Sequence, residues 1–146
     1  MNIDQLREEL KVDEGVKYEI YLDHLGLPTF GIGHLVLDSD PEHGQPVGTP
    51  VSENRVNECF AKDVELVLSE CKKLYANFEL LPSEVQLIIA NMMFNMGYPR
   101  LSKFKGMRAA VDASDWNRAA DEMVDSRWYQ QVTNRADRLV NRMRNI

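Results

Sequence analysis

The sequence predicts an α+β fold, with a small antiparallel sheet near the start of the chain and a cluster of helices after it. Between residues 17 and 33, apolar and polar residues alternate with the period of two that is typical of strands. From residue 52 onwards, apolar residues recur at the spacing of one helix face, and Gly and Pro separate the segments. The 146 residues, 44% of them hydrophobic, are enough for one domain with a sizeable core.

A first helix is predicted between Asn2, which can cap it, and Gly15, which follows its end at Glu14. A half-buried strand is expected over residues 17–22. The apolar residues that share one face of this strand are Tyr18, Ile20 and Leu22.

A turn at residues 23–26 leads from this strand into a returning strand at residues 27–33. Pro28 assigns the returning strand to the edge of the sheet, because proline cannot donate a hydrogen bond to a neighbour. Residues 38–51 are rich in Pro and Gly and form the one long loop, with room for a short third strand beside it.

Two longer helices follow this loop. Ser52 is predicted to cap a helix over residues 52–75, which is long enough to link two lobes. A second helix opens at Pro82 and stops at Gly97. Because this second helix is apolar almost all round, it belongs at the centre of a helical core.

Shorter helices are expected in the last third of the chain. One lies around residues 102–111, one opens at Ser114 or Asp115, and the last is capped by Thr133. The sequence has no internal repeat and no low-complexity tract.

Composition and charge exclude several classes of protein. Lys and Arg number 17 against 23 Asp and Glu, and the net charge of −6 argues against a nucleic-acid binder, which needs a cationic surface. No signal peptide and no membrane-inserted segment is predicted, so we expect synthesis in a cytoplasm. Cys59 and Cys71 fall about 18 Å apart on one helix, too far for a disulfide.

No metal site and no cofactor is expected. The three histidines, His24, His34 and His43, have no metal-ligand spacing, and Cys-x-x-Cys is absent. The segment Gly31-Ile32-Gly33 lacks the further glycine of a dinucleotide-binding loop. We interpret it as a place where the backbone bends or packs closely.

Glu14, Asp23 and Thr29 are the candidate catalytic residues. Gly15 lets the chain turn so that the helix end and the hairpin face each other. Two carboxyl groups in unlike surroundings suit glycoside hydrolysis, because one must donate a proton while the other stays ionised. Isolated carboxylates at helix ends and in turns are usually solvated or shape the turn, so spacing alone does not decide.

The identities of the residues around these three positions point to a known family. Glu14, Asp23 and Thr29 followed by Gly-Ile-Gly-His at 31–34 resemble the catalytic segment of the T-even type phage lysozymes, glycoside hydrolase family 24. The resemblance continues, in the family's order, in Asn-Met-Met-Phe-Asn-Met-Gly at 91–97, Ser-Arg-Trp-Tyr at 126–129 and Asn-Arg-Ala at 134–136.

This resemblance implies a lysozyme-like fold in a single domain over residues 1–146. A sheet-containing lobe would span residues 14–60, a helical lobe residues 1–13 and 75–146, and helix 52–75 would join them across a cleft. The family's reaction is hydrolysis of the β-1,4 bond between N-acetylmuramic acid and N-acetylglucosamine, with inversion.

The resemblance also implies the role of each site residue. Glu14 would be the general acid, and Asp23 and Thr29 would position the attacking water. The implied sugar contacts are Leu35, Phe94 and Asn95. The implied supporting residues are Arg135, beside the catalytic Glu, and the pair His34 and Asp63. From composition alone, Phe94 and Trp128 would more often belong to a core.

Some features depart from the family. The positions of two further substrate contacts hold Met107 and Glu122, so those contacts are not carried over. Family members that attack anionic walls are often basic, whereas this chain carries −6, so we expect its long-range interaction with a wall to be weakly attractive or repulsive.

An endolysin of this kind would act as a monomer on peptidoglycan glycan strands in the periplasm, for host cell lysis. A holin-type pore would provide its export, since no signal peptide is predicted. Two alternatives stay open. A lytic transglycosylase needs only the acid, and a non-catalytic peptidoglycan-binding or phage tail module needs none of the three residues.

Overall fold

The computed structural model describes all 146 residues and has the predicted α+β architecture, with eight α-helices and one three-stranded antiparallel sheet. The residues form two compact units. One comprises Arg7–Leu66, and the other comprises Met1–Leu6 and Val67–Ile146. None of the helices combines the length and the hydropathy that are needed to span a bilayer.

Helix α1 spans Ile3–Glu14, as predicted. The Asn2 side chain caps it by accepting a hydrogen bond from the N–H of Gln5 at 3.1 Å. At its end, Gly15 has a φ of +74° and donates its N–H to the Lys11 carbonyl at 2.9 Å. Glu14 is therefore held at the last residue of a regular helix.

The sheet has the order β1-β2-β3, with β1 at Lys17–Leu22, β2 at Pro28–Gly31 and β3 at His34–Leu35. The prediction that Pro28 marks an edge strand is wrong, because β2 is the central strand. Pro28 is the first residue of β2, where a missing N–H is tolerated, and its carbonyl accepts from the N–H of Val36 at 3.0 Å.

The expected apolar face of β1 is only partly buried. Ile20 is buried, but Tyr18 and Leu22 are about half exposed, with fractions of 50% and 52%. The pairing of β1 with β2 shifts between Lys17 and Tyr21, and such an irregularity interrupts strict alternation. The end of the long loop bonds to β1, since Ile20 donates to the Thr49 carbonyl.

Helix α2 spans Glu53–Leu74 and begins where predicted, with the Ser52 hydroxyl accepting from the N–H of Arg55 at 3.1 Å. A 3₁₀ turn at Phe78–Leu80 leads to α3 at Ser83–Met96. Residues 85–93 of α3 are all buried, which confirms a helix at the centre of the core.

The remaining helices are α4 at Tyr98–Leu101, α5 at Lys105–Asp112, α6 at Trp116–Val124, α7 at Arg127–Gln131 and α8 at Thr133–Arg144. Asp115 caps α6, as one of the two predicted alternatives. The prediction that Thr133 caps the last helix is wrong, because its hydroxyl donates to the carbonyls of Tyr129 and Gln130. Helices α4 and α7, of four and five residues, were not predicted.

Candidate active site

The Glu14 carboxyl lies against the turn that joins β2 to β3. A Cβ atom built on Gly33 would lie 2.6 Å from Oε1 of Glu14, closer than any real contact. Gly33 also has a φ of +62°, which side-chain-bearing residues rarely adopt. Gly33 therefore lets the hairpin backbone approach the carboxyl, and this is the close packing that the Gly-x-Gly segment predicted.

Asp23 and Thr29 are both bonded to Leu27, the residue just before β2. Oδ1 of Asp23 accepts from the N–H of Leu27 at 2.9 Å and from that of Leu25 at 2.9 Å. The Leu27 carbonyl accepts from the Asp23 N–H at 2.9 Å and from the Thr29 hydroxyl at 3.0 Å. One peptide segment thus fixes both side chains.

These bonds leave two acceptors unused. All hydrogen bonds from the protein to the Asp23 carboxylate fall on Oδ1, so Oδ2 receives none. The buried Thr29 hydroxyl uses its proton on Leu27, so its oxygen can still accept. Such a pair can hold a water molecule by accepting both of its protons, which leaves the water's lone pairs free to attack.

The Tyr21 phenol is influenced by the charges of both Glu14 and Asp23. Its strand position pairs with Thr29. Burial raises the pKa of its phenol, and the charges of Glu14 and Asp23 raise that pKa further. Both carboxylates are therefore within electrostatic reach of one half-buried ring, over which the Lys17 ammonium lies at 4.3 Å from the centroid.

The predicted site residues divide between the two units. Arg7–Leu66 contains Glu14, Asp23, Thr29, His34, Leu35 and Asp63, and the other unit contains Phe94, Asn95 and Arg135. Leu35 is 44% exposed, which suits a surface contact. Phe94 and Asn95 are half-buried on the last turn of α3.

His34 is buried between two carboxylates. Its Nδ1 lies 2.7 Å from Oδ2 of Asp63, and its Nε2 lies 2.8 Å from Oδ2 of Asp40. Burial lowers the pKa of this imidazole, but the hydrogen bonds and charges of Asp63 and Asp40 outweigh it and leave the pKa raised. The structure thus brings together the His34 and Asp63 of the sequence prediction and adds a second acid.

Sequence reasoning missed Asp40 and the cation that holds it. Oδ1 of Asp40 accepts from Arg55 at 3.2 Å, and the same guanidinium binds both oxygens of Glu42 at 3.0 Å. This fork ties the long loop to α2. The only available signal was the density of acids in the loop, which does not reveal a partner 15 residues away.

Arg135 is a buried cation on α8. Its Nε donates to Oδ1 of Asn91 at 2.9 Å, within the same unit. Nearby along α3, Oδ1 of Asn95 accepts from the indole N–H of buried Trp128 at 2.7 Å. Trp128 is therefore a core residue in large part, as composition suggested, and it fixes the amide of Asn95. No group of three or more His, Cys, Asp or Glu side chains could hold a metal ion.

Comparison with known sequences assigns the chain to a family. The model of the phage lysozyme family matches residues 11–145, a range that includes every candidate site residue. The chain belongs to the phage lysozyme family. The family assignment confirms the predicted resemblance and the prediction of a lysozyme-type hydrolase.

The relatives are of two kinds. Probable T4-type lysozyme 2 of Dictyostelium discoideum is 28% identical, over 95% of this chain and 93% of its own length. Pre-baseplate central spike protein Gp5 of Enterobacteria phage T4 is also 28% identical, but the match covers 26% of that protein. Peptidoglycan hydrolase gp36 of Pseudomonas phage phiKMV is 29% identical over 94% of this chain and 15% of its own length. The similar segment therefore makes up most of the Dictyostelium relative and a minor part of the two phage relatives.

Proposed function

We propose that this chain hydrolyses the β-1,4 bond between N-acetylmuramic acid and N-acetylglucosamine in bacterial peptidoglycan, with inversion, and that it serves host cell lysis. Membership of the family supports the class of reaction. The name of the phiKMV relative, a peptidoglycan hydrolase, supports the choice of polymer.

In this proposal, Glu14 gives its proton to the leaving oxygen while Asp23 and Thr29 hold the attacking water. The observation that carries it is the bonding of Asp23 and Thr29 to Leu27, which leaves Oδ2 and the hydroxyl oxygen as the two acceptors that a water needs. A water held by the protein attacks from the side opposite the leaving group, which inverts the anomeric centre.

The other site residues have supporting roles. Leu35, Phe94 and Asn95 contact the sugar rings, and the Trp128 indole keeps the Asn95 amide in one orientation. Arg135 is a supporting cation, and its bond to Asn91 holds it within its own unit. His34 and Asp63 hold the sheet unit in shape by joining β3 to α2.

We further propose that the protein is made in the host cytoplasm, passes the inner membrane through a holin-type pore and acts as a monomer in the periplasm. The name of the phiKMV relative, a peptidoglycan hydrolase, supports action on the cell wall.

The first experiment compares Glu14→Gln with the wild type on permeabilised Gram-negative cells. We expect the variant to lose clearing activity, because glutamine cannot donate the proton. Glu8→Gln is the matched control, since Glu8 is an exposed residue of the same helix that pairs only with Lys11. Equal clearing by Glu14→Gln and the wild type would remove Glu14 from the mechanism, and no clearing by any form would favour a binding module.

A second pair of variants tests the water site. Asp23→Asn keeps an Oδ1 that can accept from Leu27 and Leu25, whereas Asp23→Ala removes it. We expect Asp23→Asn to fold like the wild type and still lose hydrolysis. Mass spectrometry of the digested peptidoglycan distinguishes hydrolysis from transglycosylation, because anhydro-muropeptides as the main product would indicate a transglycosylase.

A further inference from the structure

A cationic pocket of about 300 Å³ lies in the unit Met1–Leu6 with Val67–Ile146, away from the catalytic candidates in sequence. Its charged lining consists of Arg100 on α4, Lys103 on the link to α5, and Arg127 on α7. Phe104 and Trp128 provide aromatic walls, and no Asp or Glu lines it.

Many other cations of this acidic protein have acidic partners. The net charge is −6, and Lys72 pairs with Glu79 and Arg144 pairs with Asp121, both at 2.8 Å. Arg100, Lys103 and Arg127 make no ion pair and no side-chain hydrogen bond. Three like charges around one pocket repel one another, so they favour an anion between them.

A neighbouring pocket provides an internal comparison. It shares Lys103 and Phe104 with the cationic pocket, but its lining also includes the carboxylates of Glu122 and Asp125. Those acids offset the positive charge there. An anion would therefore select the pocket that Arg100 and Arg127 line.

The aromatic walls are fixed in position. Phe104 and Trp128 meet edge to face, with ring centroids 6.5 Å apart and an interplanar angle of 79°. The Trp128 indole N–H already donates to Asn95, so Trp128 contributes an apolar surface to the pocket and no hydrogen-bond donor to a ligand. The donors that can reach a ligand are the two guanidinium groups and the ammonium.

We propose that this pocket binds a phosphate group carried by a molecule of the cell envelope. A phosphate monoester carries a charge of about −1.5 to −2 near neutrality and three acceptor oxygens. Two planar guanidinium forks and one ammonium match that number of oxygens, and their three positive charges more than balance the charge of the phosphate. A carboxylate, with one charge and two oxygens, would leave one cation without a partner.

Such a site would explain how an acidic lysozyme engages an anionic envelope. The net charge of −6 gives no long-range attraction to an anionic envelope, whereas a local cluster of cations acts at short range whatever the total charge. Phosphate binding would hold the enzyme at the surface, independently of the cleavage step.

The test uses Trp128 as its reporter. The chain has two tryptophans, and the other, Trp116, lies on α6 outside the pocket, so Trp116→Phe leaves Trp128 alone. Inorganic phosphate and glucosamine 6-phosphate are titrated at constant ionic strength, with sodium chloride as the reference. We expect a saturable change in fluorescence with both phosphates and none with chloride.

The variants then locate the site. Arg100→Gln combined with Lys103→Gln should weaken phosphate binding about tenfold or more, since two charge-assisted contacts are lost. Arg118→Gln is the matched control, because Arg118 is an exposed arginine on α6 outside the pocket. If Trp116→Phe does not fold, the indole N–H resonance of Trp128 in the otherwise wild-type chain gives the same titration by NMR.

The proposal is overturned if no saturable response occurs, if chloride gives the same response, or if the double variant binds as the control does. Vesicles containing phosphatidate identify the source of the phosphate. If the vesicles compete with glucosamine 6-phosphate for the pocket, the phosphate belongs to a lipid. If the vesicles do not compete, the phosphate belongs to a phosphorylated glycan. Because Glu14→Gln should bind phosphate like the wild type, failure of this proposal and failure of the hydrolytic one are separate results.

Discussion

The substitution Asp40→Asn should destabilise the protein through the cluster around His34. The Asp40 side chain is 13% exposed and accepts from His34 Nε2 at 2.8 Å, from the N–H of Leu37 at 2.8 Å and from Arg55 at 3.2 Å. Hydrogen bonds to a charged group contribute about 1.5–3 kcal/mol each. Asparagine retains one acceptor oxygen, so we expect a net loss of about 2–4 kcal/mol, or about 10 °C in melting temperature.

The loss should depend on pH with a definite sign. The pKa of His34 is raised in the folded protein from 6.5, so its contribution is complete below pH 6.5 and is lost as the pH rises through the raised value. Burial raises the pKa of the Asp40 carboxyl, but the Leu37 N–H, His34 and Arg55 outweigh it, and the pKa is lowered from 3.8. The Asp40 contribution is present above pH 3.8 and is lost as the pH falls through the lowered value.

Urea and thermal unfolding between pH 3 and pH 9 measure this effect. The difference between the wild type and Asp40→Asn should be largest near pH 5 and smaller towards both ends of the range. Asp38→Asn is the matched control. Asp38 is fully exposed, and its ion pair with the exposed His43 is long, at 3.6 Å. If Asp40→Asn and the control have the same unfolding midpoints at pH 5, the cluster does not stabilise the fold and the reasoning is refuted.

Three further predictions concern Gly33, Glu14 and Asn95. Gly33→Ala should reduce hydrolysis about 100-fold, because a Cβ 2.6 Å from Oε1 must displace the Glu14 carboxyl; unchanged kcat/KM in a muropeptide assay would contradict this. Glu14→Gln should lower the pKa of Tyr21, since the charge of Glu14 is one of the causes that raise this pKa. Ultraviolet titration of the phenols would show no shift if Glu14 and Tyr21 are not close. Asn95→Ala should cost about 1–3 kcal/mol of stability by leaving the buried Trp128 N–H without its acceptor, and an unchanged urea midpoint would disprove it.

Local signals in the sequence predicted most of the fold. Asn2 and Ser52 cap helices because their side chains bond to backbone N–H groups three residues away, which is visible in sequence. Gly15 and Gly97 end helices with positive φ values of 74° and 81°. These features depend on neighbours within one turn, so no knowledge of tertiary structure is needed.

The errors concern the position of a residue within its element and the register between two strands. Pro28 is compatible with a central strand because it stands at the strand's first residue, and the sequence does not show which residue comes first. Tyr18 and Leu22 are about half exposed, and the pairing of β1 with β2 contains a shift that the expected alternation did not include. Thr133 bonds back to the turn before its helix and so does not cap it.

The candidate site was predicted residue by residue through the resemblance, while the contacts that hold it came from the structure. The bonding of Asp23 and Thr29 to the Leu27 peptide depends on the turn geometry, which the sequence only outlined. The contact between Glu14 and Gly33 joins residues 19 positions apart. No periodicity encodes that contact, although the glycine itself was a signal that the backbone packs closely there.

The most direct test of the central claim is the configuration of the product at early times. A soluble peptidoglycan oligosaccharide is cleaved in an NMR tube, and the anomeric proton of the new reducing end is recorded before mutarotation. If Asp23 and Thr29 hold the attacking water opposite the leaving group, the α-anomer appears first. The β-anomer appearing first would mean a covalent intermediate or another nucleophile, and the roles assigned to these two residues would be wrong.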